Sequence, residues 1–557
     1  MNTKVKTVTA AQAIVSGIEA EGIDHVFCVP GESYLPVLDA LYDAASINVI
    51  SARHEGGAAF MAEGYAKASG KPGVVLATRG VGAANLSIGV HTAYQDSTPM
   101  VVLLGQVHSG FRGREGFQEV DLEQFFQPIS KWAVEVTRAE RMPEIIQRAF
   151  WIAQTGRPGP VVVSLPEDVL PIEIPAPLFQ PVVKPAPAPG QSEIKRVEAL
   201  LQKSKRPVII AGGGVKSAQA EKALKAFVDE TRIPVLVAFR RHDVYPNDQP
   251  YYVGHLGLGT HQAIKDTVRQ ADTVLAIGTR LSEVTTQDYN LLTADQQLIH
   301  IDIDDDVLGK CFHPHIGIVA SADEALKALQ HIDCPTHAWE KWAAYRRTMY
   351  EQTLTLNDDD RSTDMMSAVI DALQRQLPTD AVLTNDAGNF AGWLHAFYQF
   401  TEPHTYVGPT SGAMGYGLPA AIGVKFAHPN KTVVSLSGDG GFMMTANELE
   451  TAVRYGVPVI SIVVNNRSYG TIRMHQEMHY PARVIATDLG HISFADLAKS
   501  VGAQGTTVDS ADAFSDALAW ALRESGPVVI EVITDVEQIS LRSTISQIRS
   551  QSLSDKL

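Results

Sequence analysis

The chain has 557 residues, of which 45% are hydrophobic and 19% charged, with 43 glycines and 30 prolines. These are ordinary globular values, and they exclude long disorder, a fibrous repeat and a disulfide scaffold. Acidic residues outnumber basic ones 62 to 46, giving a formal charge of −16; such a surface repels phosphate backbones and anionic lipid, so neither nucleic acid nor a membrane is expected as a partner.

The first dozen residues lack the apolar core of a signal peptide, and no apolar run approaches the ~20 residues of a membrane span. Three cysteines, Cys28, Cys311 and Cys334, fit a reducing compartment. A cytoplasmic protein of about three domains is expected.

Along the chain, short β-branched runs recur at 74–77, 100–104, 161–165, 207–211, 273–277, 298–301, 433–436, 459–464 and 528–533. They are apolar on both faces and alternate with helical patterns, which predicts buried parallel strands. Seven prolines between 171 and 189, followed by Gly190-Gln191-Ser192, predict an extended linker. Ser192 is the candidate N-cap of the next helix. A second break, 352–363, is polar and turn-rich around Asn357-Asp358-Asp359-Asp360. The fold class is therefore α/β, with three doubly wound parallel-sheet domains at 1–170, 193–335 and 365–540. Residues 171–192 and 336–364 are the expected linkers, and 541–557 the expected tail.

The residues that suggest chemistry follow the same order. Pro30-Gly31-Glu32-Ser33 forms a βα turn in this reading. A strand at 47–50 leads to Arg53-His54-Glu55-Gly56-Gly57-Ala58 and a helix ending near Ser69; Glu55 is at least a helix-start carboxylate favoured by the dipole. Gly80-Val81-Gly82-Ala83-Ala84-Asn85, Phe117-Gln118-Glu119 and Gly156-Arg157-Pro158 come next. In the middle segment a strand runs into Gly212-Gly213-Gly214, followed by Gly278-Thr279-Arg280 and by Asp302 and Asp304. Glycine after a strand suits phosphate approach, and an acid further on suits ribose hydroxyls.

In the third segment come Gly388-Asn389-Phe390 and Gly412-Ala413-Met414-Gly415. The strand at 433–436 then runs into Ser437-Gly438-Asp439-Gly440-Gly441, and the strand at 459–464 ends at Asn465-Asn466. Between them Thr445-Ala446-Asn447-Glu448 has capping-box form. Both motifs lie at carboxyl ends of parallel strands, where open α/β sheets bind ligands. Backbone N–H groups between glycines suit a phosphate, and the Asp439 carboxylate and Asn466 amide oxygen suit Mg²⁺.

Gly-Asp-Gly followed some two dozen residues later by Asn-Asn resembles the metal-diphosphate motif of the thiamine diphosphate-dependent enzymes. Arg53-His54-Glu55-x-Gly57-Ala58 resembles their acetohydroxyacid (acetolactate) synthase-like branch. The resemblance assigns the three domains as pyrimidine-binding, middle Rossmann-like and diphosphate-binding. It implies that Asp439, Asn466 and the Ser468 carbonyl hold Mg²⁺, and that Glu55 shares a proton with the cofactor's pyrimidine ring. The Gly412 carbonyl would hold the ring's amino group, Met414 would bend the cofactor, and Gln118 would lie near the substrate. Gly388, Asn389 and Phe390 stand where the family has Gly-Gln-His, so backbone contacts carry over there, as they do at Gly438, Gly440 and Gly441.

For the middle domain the resemblance implies either FAD, held by Arg157, Gly212, Gly213, Gly214, Arg280 and Asp302, or a domain without ligand; Val284 replaces a second expected arginine. Two departures bear on substrate. Glu32 stands where the synthases have Gly and pyruvate or indolepyruvate decarboxylases have Asp, which makes it a candidate for guiding the reaction. His475 replaces a Trp that selects the acceptor, and Arg473 and His475 either bind a carboxylate or polar acceptor or are solvated. The implied reaction is decarboxylation of a pyruvate-like 2-ketoacid, with carboligation to a second carbonyl from a 2-ketoacid or aldehyde, in a homodimer or homotetramer. A simple decarboxylase or 2-hydroxyacyl lyase is the alternative, and a nucleotide-binding oxidoreductase the rival from another class.

Overall fold

The structure is a computed structural model that describes residues 6–354 and 364–555. Each segment folds around one six-stranded, wholly parallel sheet. The β-branched runs form these strands because both faces are covered: Met100–Gln106 and Pro160–Pro166 are buried at every position. In the first sheet the order is Asn48–Ser51, His25–Cys28, Gly73–Thr78, Met100–Gln106, Pro160–Pro166, Trp132–Glu135. The middle sheet runs Tyr252–His255, Val235–Val237, Pro207–Ala211, Thr273–Ile277, Gln297–Asp302, Ile316–Val319. The third runs Tyr406–Val407, Val382–Asn385, Val433–Gly438, Ile460–Asn465, Val528–Ile533, Gln504–Val508.

This order creates one switch point per sheet, where successive connections diverge and leave a crevice at the strand ends. In the first sheet it lies between Cys28 and Thr78, in the second between Ala211 and Ile277, and in the third between Asn385 and Gly438. All three glycine-bearing motif groups therefore fall at switch points.

The first and third domains share a core. Helix Glu55–Ser69 lies against helix Gly417–Ala427 so closely that a β-carbon at Gly423 would sit 2.0 Å from the Met61 carbonyl oxygen. Beside this seam Lys67 Nζ reaches Glu63 Oε1 at 2.8 Å and Asp96 Oδ2 at 2.9 Å, and Arg241 of the middle domain reaches Asp96 Oδ1 at 3.1 Å. Burial alone would raise the Asp96 carboxyl, but Lys67 and Arg241 hold it well below the usual range. Asp96 Oδ1 also accepts the Thr410 N–H of the third domain at 3.0 Å, so one buried carboxylate ties all three domains together.

Several local expectations are corrected. The helix after the proline-rich stretch begins at Gln191, and Glu193, not Ser192, reaches back to cap it on the Gly190 N–H at 2.6 Å. Thr336–Leu354 is a 19-residue helix rather than a linker. Its Trp339 and Trp342 are buried in the middle core and donate to the Ser204 and Pro207 carbonyls at 2.9 and 3.0 Å. The expected polar stretch at 355–363 lies outside the described residues.

The supposed tail contains helix Ile545–Ser554. Its Arg549 donates to the fully buried Glu477 at 2.9 and 2.6 Å. Hydrogen bonding from Arg549, opposed by burial, holds the Glu477 carboxyl at about 2. A depressed carboxyl contributes stability above its unfolded pKa of about 4.3 and loses it as pH falls through the folded value. Arg549→Ala is therefore expected to lower the Tm at neutral pH and to flatten its fall between about pH 4 and pH 2. Thermal melts across that range check this.

Candidate active site and nucleotide cavity

Glu55 is the first residue of its helix, preceded by His54, whose Nδ1 accepts the Gly56 N–H at 3.0 Å. Asn85 Nδ2 donates to Glu55 Oε2 at 2.9 Å, which fixes the carboxyl. The loop before it is held from the third domain: Glu448 accepts the Arg53 N–H at 3.2 Å and the His54 N–H at 3.0 Å. Glu448 thus takes no part in a capping box, and Thr445 instead donates to the Gly415 carbonyl at 2.7 Å.

Gly80 to Asn85 lie in the first turns of helix Arg79–Asp96. Arg79 itself has φ +42° and Gln118 has φ +65°. These two strained residues meet, because the Gly80 N–H donates to the Gln118 carbonyl at 3.0 Å. Left-handed non-glycine residues cluster at functional sites, where surrounding structure holds them. Arg79 also pairs with Glu32 at 3.0 Å and Glu167 at 2.9 Å. Phe117, beside Gln118, is 73% exposed.

On the third domain, Asp439 opens helix Asp439–Thr445 straight after strand Val433–Gly438. Its Oδ1 accepts the Gly440 N–H at 2.8 Å, and its buried Oδ2 has no hydrogen-bond partner among the described residues. Burial raises the Asp439 carboxyl. Asn466 Oδ1 accepts the Ser468 N–H at 3.0 Å, at a turn strained by Arg467 at φ +55°. One carboxylate, one amide oxygen and a backbone carbonyl form a hard donor set suited to Mg²⁺ completed by phosphate and water.

Asp386, missed from sequence, stands across the same switch point. It accepts the Gly417 N–H, its Oδ2 is also unpartnered, and burial pushes it up to about 6. A β-carbon at Gly441 would sit 2.3 Å from that oxygen. Gly412, at φ +72°, has nothing within 4 Å of a β-carbon and so borders open space next to the half-buried Met414. Asn389 turns its amide away from Gly388, donating to the Ile539 carbonyl and accepting from Thr471, each at 3.0 Å. The Phe390 ring covers Gly388 and Gly438.

Arg473 lies on helix Gly470–His479 and is engaged with Glu477 at 3.4 Å and Asp488 at 3.7 Å. His475 is exposed and stacks on His479 with ring centroids 6.1 Å apart.

A cavity of about 1030 Å³ opens at the middle switch point, between all three domains. Gly213, Gly214, Arg157, Arg241, Arg280, Asp302 and Val284 line it, whereas Glu55 and Asp439 do not. Gly212 packs instead against the Gly278 carbonyl. Arg280 donates to the Gln95 carbonyl at 2.7 Å and Arg157 to Ser97 Oγ at 2.8 Å, which leaves both cations in place along one wall. Burial raises Asp302 to about 6. The volume is at the upper end of about 300–1,000 Å³ for small-molecule sites, and the mix of cations with one acid suits a dinucleotide.

Three family models match the chain: the thiamine pyrophosphate enzyme N-terminal TPP binding domain over residues 8–125, the central domain over 194–329 and the C-terminal TPP binding domain over 386–532. Among curated relatives, the probable acetolactate synthase large subunit of Methanocaldococcus jannaschii is 35% identical over 542 residues, covering 94% of this chain and 92% of the relative. The acetolactate synthase isozyme 2 large subunit of Escherichia coli K12 is 34% identical over 528 residues, covering 94% and 95%. Isozyme 3 of the same organism is 33% identical over 556 residues, covering 95% and 96%. With three domains matched in order and similarity along nearly its whole length, the chain belongs to the thiamine pyrophosphate (thiamine diphosphate) enzyme family.

Proposed function

We propose that the protein decarboxylates a pyruvate-like 2-ketoacid and joins the retained fragment to a second carbonyl compound, using thiamine diphosphate and Mg²⁺. The observation that carries this is the pair of carboxyls at the carboxyl ends of two parallel sheets, Glu55 set by Asn85 and Asp439, whose buried Oδ2 has no partner among the described residues. Asp439, Asn466 and the Ser468 carbonyl would hold Mg²⁺, and the Gly438–Gly441 backbone would admit a diphosphate. Glu55 would hold a proton toward the pyrimidine ring, the Gly412 carbonyl would accept from its amino group, and Met414 would pack against the cofactor. The bound cofactor supplies the electron sink that lets carbon dioxide leave. Gln118 and Glu32 border the reacting carbon.

The active unit is a homodimer, alone or paired into a tetramer. Val81, Phe117, Met443, Met444 and Ile472 are exposed apolar side chains beside the two half-sites, the arrangement expected where a second copy completes each site. The three free cysteines support a cytoplasmic location, and no helix among the described residues is long and apolar enough to cross a membrane.

The 1030 Å³ cavity would take FAD in this reading, with Arg280 and Arg157 available to its phosphates and Asp302 to a ribose. Purified protein is then yellow with a flavin spectrum, and Arg280→Ala loses at least about tenfold in flavin retention, as expected when a buried charged contact is removed. A colourless protein that takes up no added FAD contradicts this part alone.

Product analysis after incubation with pyruvate and its homologues tests the main reading. A carboligase gives a hydroxyketone or 2-hydroxy-2-alkyl-3-ketoacid, whereas free aldehyde as the sole product supports the decarboxylase alternative.

A further inference from the structure

Helix Arg79–Asp96 carries Gly82, Asn85, Gly89, Thr92 and Asp96 at alternating spacings of three and four residues. That spacing places them on one helix face. Each meets a specific neighbour. Gly82 lies beside Glu55, with a β-carbon there 3.3 Å from Oε1, and Asn85 donates to Glu55 Oε2 at 2.9 Å. Gly89 lets helix Glu55–Ser69 approach, since a β-carbon there would collide with Ala59. The fully buried Thr92 shares a 3.0 Å hydrogen bond with the Ser411 hydroxyl, and Asp96 Oδ1 accepts the Thr410 N–H at 3.0 Å. The near end of the face thus holds Glu55, and the far end holds a loop of the third domain.

That loop, residues 408–415, joins strand Tyr406–Val407 to helix Gly417–Ala427 and contains Gly408, Gly412 and Gly415. Glycines lose the most backbone freedom on ordering and bring no side chain to pack, so the loop takes its shape from bonds made by its surroundings. From the third domain, the Ala387 N–H donates to the Ala413 carbonyl at 3.1 Å and Thr445 to the Gly415 carbonyl at 2.7 Å. From the first domain, Lys67 Nζ donates to the Gly408 carbonyl at 3.2 Å, beside the Asp96 and Thr92 contacts. Asp96 cannot drift, because its buried carboxylate is held by Lys67 at 2.9 Å and Arg241 at 3.1 Å. Between these anchors the Gly412 carbonyl accepts no hydrogen bond among the described residues, which leaves it to an outside donor.

We infer that Thr92 and Asp96 are positioning residues that set the direction of the Gly412 carbonyl through Ser411 and Thr410. One helix face then aligns both protein groups assigned to the cofactor ring, Glu55 through Asn85 and Gly412 through its two preceding residues. This rests on the cofactor reading above. Neither residue touches the cofactor; each acts by narrowing the orientations open to a glycine at φ +72° with nothing within 4 Å of its β-carbon position. A buried hydrogen bond of this kind shifts a conformational equilibrium by about two- to tenfold.

The test compares the full-length parent with Thr92→Val, Thr92→Ser and Asp96→Asn in two measurements. The first is amide hydrogen exchange without cofactors; the second is kcat and KM for carbon dioxide release with thiamine diphosphate and Mg²⁺ bound. Thr92→Val keeps the volume and loses the hydroxyl. It is expected to speed exchange over residues 408–415 by about two- to tenfold, with strand Val433–Gly438 unchanged. Its kcat should fall by a similar factor, with KM within about twofold of the parent. Thr92→Ser keeps the hydroxyl and should match the parent in both measurements. Asp96→Asn keeps an oxygen for Thr410 but leaves two cations short of a charge, so its melting is recorded first, and the Thr92 pair decides the question if it does not fold. Parent-like exchange and kcat in Thr92→Val overturn the inference alone. So does exchange that rises equally in the loop and the strand, or a Thr92→Ser variant as impaired as Thr92→Val, since each marks a merely structural role. A parent that releases no carbon dioxide from any 2-ketoacid overturns the cofactor reading, and this inference with it.

Discussion

Glu55→Gln is expected to lower carbon dioxide release from the preferred 2-ketoacid by about 10²- to 10⁴-fold, the usual range for losing a positioned proton-transfer group. Gln fills the same volume at the start of the helix and keeps a hydrogen bond to Asn85, which lies 2.9 Å from Glu55 Oε2. What it loses is the ability to hold an exchangeable proton against a ring nitrogen. The fold should survive, since Gln can still accept from Asn85 as Glu55 does and the seam beneath it is packed by Gly64 and Gly423. Steady-state carbon dioxide release, with circular dichroism and cofactor-binding calorimetry as controls, checks this. Unchanged turnover with tight cofactor would show that Glu55 is only a helix-start residue.

Asp439→Ala should have the second-largest effect, of a different kind. The proposed metal set contains one carboxylate, so its removal is expected to weaken Mg²⁺-dependent retention of thiamine diphosphate by more than about 100-fold, since even outer-shell partners are worth about 10- to 100-fold. The metal-free protein should not lose stability in step. Asp439 Oδ2 is buried without a hydrogen-bond partner among the described residues and burial already raises its carboxyl, so the apo chain carries a desolvation cost that alanine removes. The expected outcome is an apo Tm equal to or above that of the parent, together with a lost Tm rise on adding Mg²⁺ and cofactor. A parallel fall in apo Tm would assign Asp439 a structural role instead.

Much of this molecule is legible in its sequence. The strands were readable because they are buried on both faces and β-branched, and the ends of Val433–Gly438 and Ile460–Asn465 fall within two residues of the predicted runs. Their order in the sheet was not readable, and that order is what turns the glycine motifs into crevices. Thr336–Leu354 was misread because its polar residues dominate the composition; Trp339 and Trp342 become informative only when their N–H groups are seen to reach the Ser204 and Pro207 carbonyls.

Within the candidate site, Glu448 could not be found locally, because its partners at Arg53 and His54 lie almost 400 residues away. Asp386 was more accessible: a buried strand, an acid and then Gly388 repeats the pattern of Val433–Gly438 and Asp439. Arg473 was open in the sequence between binding an acceptor and a solvated helix position, and its own helix places Glu477 four residues on, at 3.4 Å. Intrahelical pairing at that spacing is the ordinary fate of such a charge.

The most direct test of the central claim is carbon dioxide release by the purified full-length chain from a panel of 2-ketoacids, with thiamine diphosphate and Mg²⁺ supplied together, singly or not at all. The account predicts release from at least one 2-ketoacid only when both are present, abolished by Glu55→Gln. Release that persists without thiamine diphosphate, or no release from any 2-ketoacid with both cofactors bound, would contradict it.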